Sequence, residues 1–148
     1  MLLTPHTIIG LAIAKQIPNP LLSGPLALLS HFAADMVPHW DFFTNGQAAV
    51  GWRRKAIFID FSLGLILGLA MVWQAWPNQL QAFNFTLCAF LACLPDGLES
   101  PKMLFNKEWW LANRALAWQR FIHFRAQLPW GLLTQLVAAT AALRLLLS

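Results

Sequence analysis

Between Ala56 and Trp76 the chain is apolar apart from Ser62, Gln74 and one charge, Asp60. A helix that crosses a bilayer needs about 20 such residues. Pro129–Leu147 has the same character, and Leu80–Leu94 is shorter but as apolar. Pro77-Asn78 separates Ala56–Trp76 from Leu80–Leu94, so these two segments are expected to form a tight helical hairpin. Three such segments in 148 residues leave little polar chain to cover them: hydrophobic residues make up 58% and charged residues 11%, where a soluble domain carries about 25% charged. Mean hydropathy is +0.55. The expectation is a single membrane-embedded helical domain over residues 1–148.

The N-terminal part contributes two shorter segments, Thr4–Ile17 and Leu21–Val37, around the turn signal Pro18-Asn19-Pro20. They can cross the membrane or form a re-entrant hairpin; crossing is preferred. Lys107–Gln127 interleaves Trp109, Trp110, Trp118, Phe121 and Phe124 with Lys107, Arg114, Arg120 and Arg125. This composition suits a helix lying at the headgroup level, and equally an ordinary packed amphipathic helix. The fold class is therefore all-α: about five short transmembrane or re-entrant helices plus one interfacial amphipathic helix. Cys88 and Cys93 lie in one apolar helix and point in different directions, so they form neither a disulfide framework nor a zinc knuckle. The N-terminal segment lacks a basic start and a small-residue cleavage site, and no removable signal peptide is read.

Arg53, Arg54 and Lys55 precede the Ala56–Trp76 span, whereas the loop at its far end has no charge. The positive-inside rule makes the Arg53 end cytoplasmic. The chain returns to that face at Leu94, before Lys102, Lys107, Arg114, Arg120 and Arg125, so eight of the ten Lys and Arg lie there. This accounts for the net charge of +4 through membrane placement; no nucleic-acid partner is expected. His6 and His31 are equidistant from the Pro18-Asn19-Pro20 turn, and Asp60 and Asp96 are equidistant from Asn78. Each pair should match in depth, and with Asp35, His39, Asp41 and His123 all fall at or near the cytoplasmic face.

The densest motif is His31-Phe32-Ala33-Ala34-Asp35-Met36-Val37-Pro38-His39-Trp40-Asp41. His31 and Asp35, spaced i and i+4, share one helix face, and Pro38 turns the chain so that His39 and Asp41 hang below it. Imidazole and carboxylate are the usual non-thiolate zinc ligands and also suit manganese or iron. The alternative is that His39 and Asp41 cap a helix end while His31 bonds Asp35. Asp60 sits one turn inside an apolar helix and needs a partner: a metal, a histidine, or Arg53 or Arg54 reached by snorkelling. Asp96, after the helix-ending Leu94-Pro95, opposes the helix dipole unless it simply marks the water boundary. Glu99 is an outside candidate for acid–base work. His6 follows Thr4-Pro5, with Thr4 expected as N-cap and Pro5 as first helical residue. His6 and His123 are candidate ligands or ordinary packing histidines.

His6 in a short first helix, followed by Ser30-His31…Asp35…Pro38-His39-Trp40-Asp41, resembles bacterial inner-membrane proteins described as membrane-bound metal-dependent hydrolases. The late Pro129-Trp130-Gly131…Gln135 stretch is similar to their last helix. The resemblance covers most of the chain, with its specific part in Thr4–Phe42. Those proteins often carry a His-Arg-Gly…Thr-His stretch, absent here, and a Pro-Asp-x-Asp-His motif, of which only Pro95-Asp96 is similar. The resemblance implies that His31, Asp35, His39 and Asp41 are metal-site residues, joined by His6. The expected metal ligands are then His6, His31, Asp35, His39, Asp96 and His123, with Asp41 or Asp60 as general base. The expected ion is zinc, with manganese or iron as alternatives. The substrate would be a lipid phosphate or lipid ester, held by Arg114, Arg120 and the basic rim. A non-catalytic protein with a structural metal or polar cluster needs the same ligands with closed coordination. An ion or proton transporter would need ionisable residues near the midplane, and Ser62–Trp76, Leu80–Leu94 and Trp130–Leu143 contain none.

Overall fold

The computed structural model describes residues 1–42 and 48–148; within the fifth helix the side chains of residues 112, 115, 116, 118, 120 and 122 also lie outside the described residues. The Arg120 and Trp118 side chains invoked above are among these. Among the described residues six α-helices follow one another: α1 (Leu3–Gln16), α2 (Pro20–Asp35), α3 (Trp52–Ala75), α4 (Gln79–Phe105), α5 (Trp110–Ile122) and α6 (Trp130–Leu147). Among the described residues there is no β-strand beyond one isolated bridge, His39 to Arg125.

The chain runs back and forth, so that the start of α1, the end of α2, the starts of α3 and α6, and α5 gather at one end. The turns at residues 17–19 and 76–78 and the C-terminus lie at the other. α1 is the central helix and packs against α2, α3, α4 and α6. Its small residues allow this. A Cβ on Gly10 would stand 2.6 Å from the Cys88 carbonyl oxygen and 2.8 Å from Ala92 Cβ, so α1 and α4 cross at backbone contact. The core along this crossing is built of Leu11, Ala12, Ala14, Ala27, Phe85, Cys88 and Ala92.

At the far end of the bundle the buried polar groups are paired, as a low-dielectric interior requires. The Asn84 amide donates to the carbonyls of Ala14 (3.0 Å) and Ile17 (2.9 Å), and its oxygen accepts from Ser23 at 2.5 Å. One buried residue thereby ties α1, α2 and α4 at the far end. On the outside the pattern reverses: Trp73, Val137, Leu21, Leu65 and Ile66 are exposed. α3 and α6 are long and apolar enough to cross a membrane, with mean hydropathies of 2.1 and 1.5.

Three local expectations are corrected. α4 does not stop at Pro95 but runs through Pro95 and Pro101 to Phe105. A proline removes one helical N–H; at Pro101 the carbonyl it would have served, that of Gly97, accepts instead from Ser100 Oγ at 2.8 Å. Beyond Pro95 the helix is held from outside by α5 and by Leu104 packed with Ala49 and Ile57. Asp96 is consequently mid-helix and does not oppose a helix terminus. Thr4 is not the N-cap of α1: the helix begins at Leu3, and Leu2 offers no side-chain cap. The cap comes from another helix. Asp60 of α3 accepts from the Leu3 N–H at 2.7 Å and the Thr4 N–H at 3.1 Å, while Thr4 Oγ1 donates to the Asp60 carbonyl at 3.0 Å. The partner of this carboxylate is the positive end of α1, neither a histidine nor Arg53 or Arg54.

Asp60→Ala leaves those two N–H groups uncapped and is expected to lower stability by about 1–3 kcal/mol, measured by thermal unfolding in detergent, with bound metal unchanged. Loss of metal without loss of stability would return Asp60 to the metal ligands.

Candidate metal centre

Asp35, the last residue of α2, has no exposed surface and lies at the meeting point of four imidazoles. His6 Nε2 stands 3.3 Å from its Oδ1 and His31 Nε2 3.5 Å from its Oδ2; His39 Nε2 is 3.7 Å from Oδ1 and His123 Nδ1 3.5 Å from Oδ2. The amino nitrogen of Met1 also contacts Oδ1. Donors bound to one tetrahedral ion at about 2.0–2.1 Å sit roughly 3.3–3.4 Å from each other, so these separations are the size of a ligand shell.

Each imidazole arrives by a different local cause. His31 is one turn before Asp35 on α2. His6, at the start of α1, reaches the same depth across the α1–α2 turn, and the two rings stack with centroids 4.1 Å apart. His39 lies beyond the helix, where Pro38 forces extended backbone. That segment pairs with residues 123–126: the Phe124 N–H donates to the Asp35 carbonyl (3.2 Å), the His39 N–H to the Phe124 carbonyl (3.1 Å), and the Ala126 N–H to the His39 carbonyl (2.8 Å). This pairing carries His123 to the centre. α6 then clamps the segment. Gln135 Nε2 donates to the Trp40 carbonyl at 2.7 Å, and Gln135 Oε1 accepts from the Leu2 N–H at 2.9 Å. Gly131 permits the approach, since a Cβ there would meet Trp40 N at 2.5 Å and the His39 carbonyl carbon at 2.9 Å.

The hydrogen bonds assign the tautomers. His31 Nδ1–H donates to the Ala92 carbonyl and His39 Nδ1–H to that of Val37, each at 2.8 Å. Both therefore keep an Nε2 lone pair on the Asp35 side, where that of His31 accepts from the Gln119 amide and that of His39 from His123 Nε2–H, each at 2.9 Å. His123 Nε2–H reaches Asp41 Oδ2 at 3.0 Å, leaving Nδ1 as the lone-pair atom facing Asp35. A partner on the outer nitrogen is the usual support of a metal-bound imidazole. His6 has neither nitrogen hydrogen-bonded, and Asp35 Oδ2 is likewise without a hydrogen bond, although all three atoms are buried. Such atoms are costly unless something binds them, and a divalent cation satisfies them together.

Burial and the Met1 ammonium push the His39 pKa down to about 4, so this ring is neutral and able to donate at physiological pH. Burial works against charge on His123 too, but the carboxylates of Asp35 and Asp41 outweigh it and hold its pKa above the ordinary value.

The remaining acids stand further out. Asp96 Oδ1 is 3.8 Å from His31 Nε2 and its Oδ2 is 4.0 Å from His6 Nε2. Asp41 bonds His123 and also accepts from Arg125 Nε at 3.0 Å. That engagement makes it a holder of the His123 ring, in place of the free base expected. Asp60, on the α1 amides, belongs to neither group of close donors, and the base role expected of it has no support in its position. Gln119 escaped the sequence reading. Its amide nitrogen lies 2.9 Å from His31 Nε2 and 3.2 Å from Asp96 Oδ1; a glutamine in an amphipathic helix carries no signal until α5 is seen against α2 and α4.

No protein-family model, curated protein or solved structure matches this chain.

Asp41→Asn keeps a side chain of the same shape beside His123 but removes its charge. It is expected to weaken zinc binding by about 10–100-fold, read by competition with a chelating dye. Unchanged affinity would exclude Asp41 as the support of His123.

Proposed function

We propose that this chain is an integral membrane protein and a metal-dependent hydrolase of lipid phosphates or lipid esters, similar to the membrane-bound hydrolases that His31…Asp35…His39…Asp41 resembles. The observation that carries the reading is the convergence of four imidazoles on buried Asp35, three with the outer nitrogen engaged and His6 with neither nitrogen engaged. His6, His31, Asp35, His39 and His123 would hold the ion, zinc in the first instance. When bound, a divalent ion polarises a phosphoryl or ester oxygen and acidifies water.

Membrane insertion rests on α3 and α6. Only 11% and 22% of their most apolar stretches are buried by the rest of the chain, unlike the core helices of a soluble protein. Lipid is the solvent that such faces suit. With Arg53, Arg54 and Lys55 at the start of α3, the site end faces the cytoplasm of a bacterial inner membrane.

Substrate class follows from the surroundings of the centre. A cavity of about 570 Å³ opens between α2, α4 and α5, lined by Leu28, Phe32, Leu94, Leu98, Leu111 and Arg114 among others. This is within the range of small-molecule sites, about 300–1,000 Å³. Phe32 packs edge-on against His31, with ring centroids 5.4 Å apart, so the cavity borders the centre. Its walls suit an acyl chain, and Arg114 suits an anionic headgroup at the chain's end. Gln119, donating to Asp96, holds that carboxylate beside His31 and His6.

Zinc-loaded protein in vesicles of phosphatidic acid and phosphatidylcholine is expected to release phosphate or fatty acid. Arg114→Gln should raise KM about 10-fold, the loss of one charge-assisted contact of about 1.4 kcal/mol, with kcat little changed. His39→Ala should abolish turnover. Absence of any hydrolysis by fully metal-loaded protein, on both anionic and zwitterionic lipid, contradicts the hydrolase reading and leaves the structural-metal alternative.

A further inference from the structure

The four imidazoles do not form one set. Among the described residues the mutually close donors fall into two groups, His6, His31 and Asp35 on one side and Asp35, His39 and His123 on the other, with only Asp35 in common. The ring contacts show the same division: His6 stacks on His31, and His39 meets His123 edge-on with centroids 4.3 Å apart. Within each pair one ring approaches Oδ1 of Asp35 and the other Oδ2.

From this we infer that the centre takes two divalent ions bridged by the Asp35 carboxylate, one held by His6 and His31, the other by His39 and His123. This deepens the metal-dependent reading above and rests on it. Each oxygen of Asp35 has one ring of each pair beside it, His6 and His39 at Oδ1 and His31 and His123 at Oδ2, so either pair can share an ion with the carboxylate; paired ions in hydrolytic sites lie about 3.5–4 Å apart. An ion on Oδ1 takes the place of the Met1 ammonium.

The two halves are not equivalent. Around His6 and His31 the nearby acid, Asp96, stands 3.8 Å and 4.0 Å from the two rings, outside the group of mutually close donors but facing it; its approach would give four protein donors with Asp35, the closed set typical of a structural ion. Around His39 and His123 the nearby acid, Asp41, is turned to the outer nitrogen of His123 and to Arg125. That half has three protein donors, the number that leaves a position for water or substrate. The inference therefore assigns the ion with an open position to the His39 and His123 half and the more closed ion to the His6 and His31 half, the one that Phe32 and the cavity border.

The test uses manganese as the probe. Full-length protein in detergent is stripped with chelator, saturated with Mn²⁺, freed of excess ion and measured by elemental analysis and electron paramagnetic resonance. The expected result is about two Mn per chain with an exchange-coupled signal, as for ions about 3.5–4 Å apart. The double variants His6→Ala/His31→Ala and His39→Ala/His123→Ala should each retain about one Mn, now with the uncoupled signal of an isolated ion. Asp35→Ala should lose the coupling and at least one ion. One Mn per chain in the wild type, removed by either double variant, overturns the two-ion inference while leaving a metal centre in place. No bound Mn or Zn in the wild type overturns both. The wild-type measurement decides between these outcomes even where a variant fails to fold.

Discussion

A carboxylate removed from water must be paired or lose its charge, and the architecture is organised around how Asp35 meets that demand. It has no exposed surface, and its surroundings are four imidazoles and an amino group in place of a lysine or arginine. Lone-pair nitrogens aimed at a carboxylate repel it unless protons or cations lie between. Three of those nitrogens are fixed in this orientation by the backbone carbonyls of Ala92 and Val37 and by Asp41. The constraint is thus built into the fold, and a divalent ion relieves it with one species where protonation would require several.

The first two helices, which carry His6, His31 and Asp35, are short, and small residues let α1 pack closely against its neighbours. α1 spans 14 residues, about 21 Å at 1.5 Å per residue, and crosses α4 at Gly10 closely enough to bring His6 over His31. α3 supplies the missing cap of α1 through Asp60, fixing the depth at which His6 sits. α6 carries no ligand; Gln135 and Gly131 seat the extended segment that bears His39. Each element outside the centre therefore acts on it through a nameable contact.

Much of this was legible from residue spacing. The i, i+4 relation of His31 and Asp35, and the near-equal distances of His6 and His31 from Pro18-Asn19-Pro20, are geometric statements about helices and turns, and the structure brings these residues together. The helix boundaries near Pro18, Pro77 and Pro129 agree for the same reason. What spacing could not reveal depends on partners distant in sequence. Asp60 looked like a buried acid in need of a cation, because nothing in the chain announces that the amides of Leu3 and Thr4 arrive beside it. Pro95 looked like a helix end because the local penalty is visible and the packing of α5 against the far side of α4 is not. Gln119 and the pairing of residues 35–39 with 124–126 have no local signature. The metal roles themselves go beyond spacing and geometry alike.

X-ray absorption at the zinc edge of detergent-purified, zinc-saturated protein tests the central claim most directly. Imidazole scattering, with nitrogen and oxygen neighbours at about 2.0–2.2 Å and no sulfur at about 2.3 Å, is the predicted result. A shell of water oxygens alone, or of thiolate sulfur from Cys88 or Cys93, would contradict it.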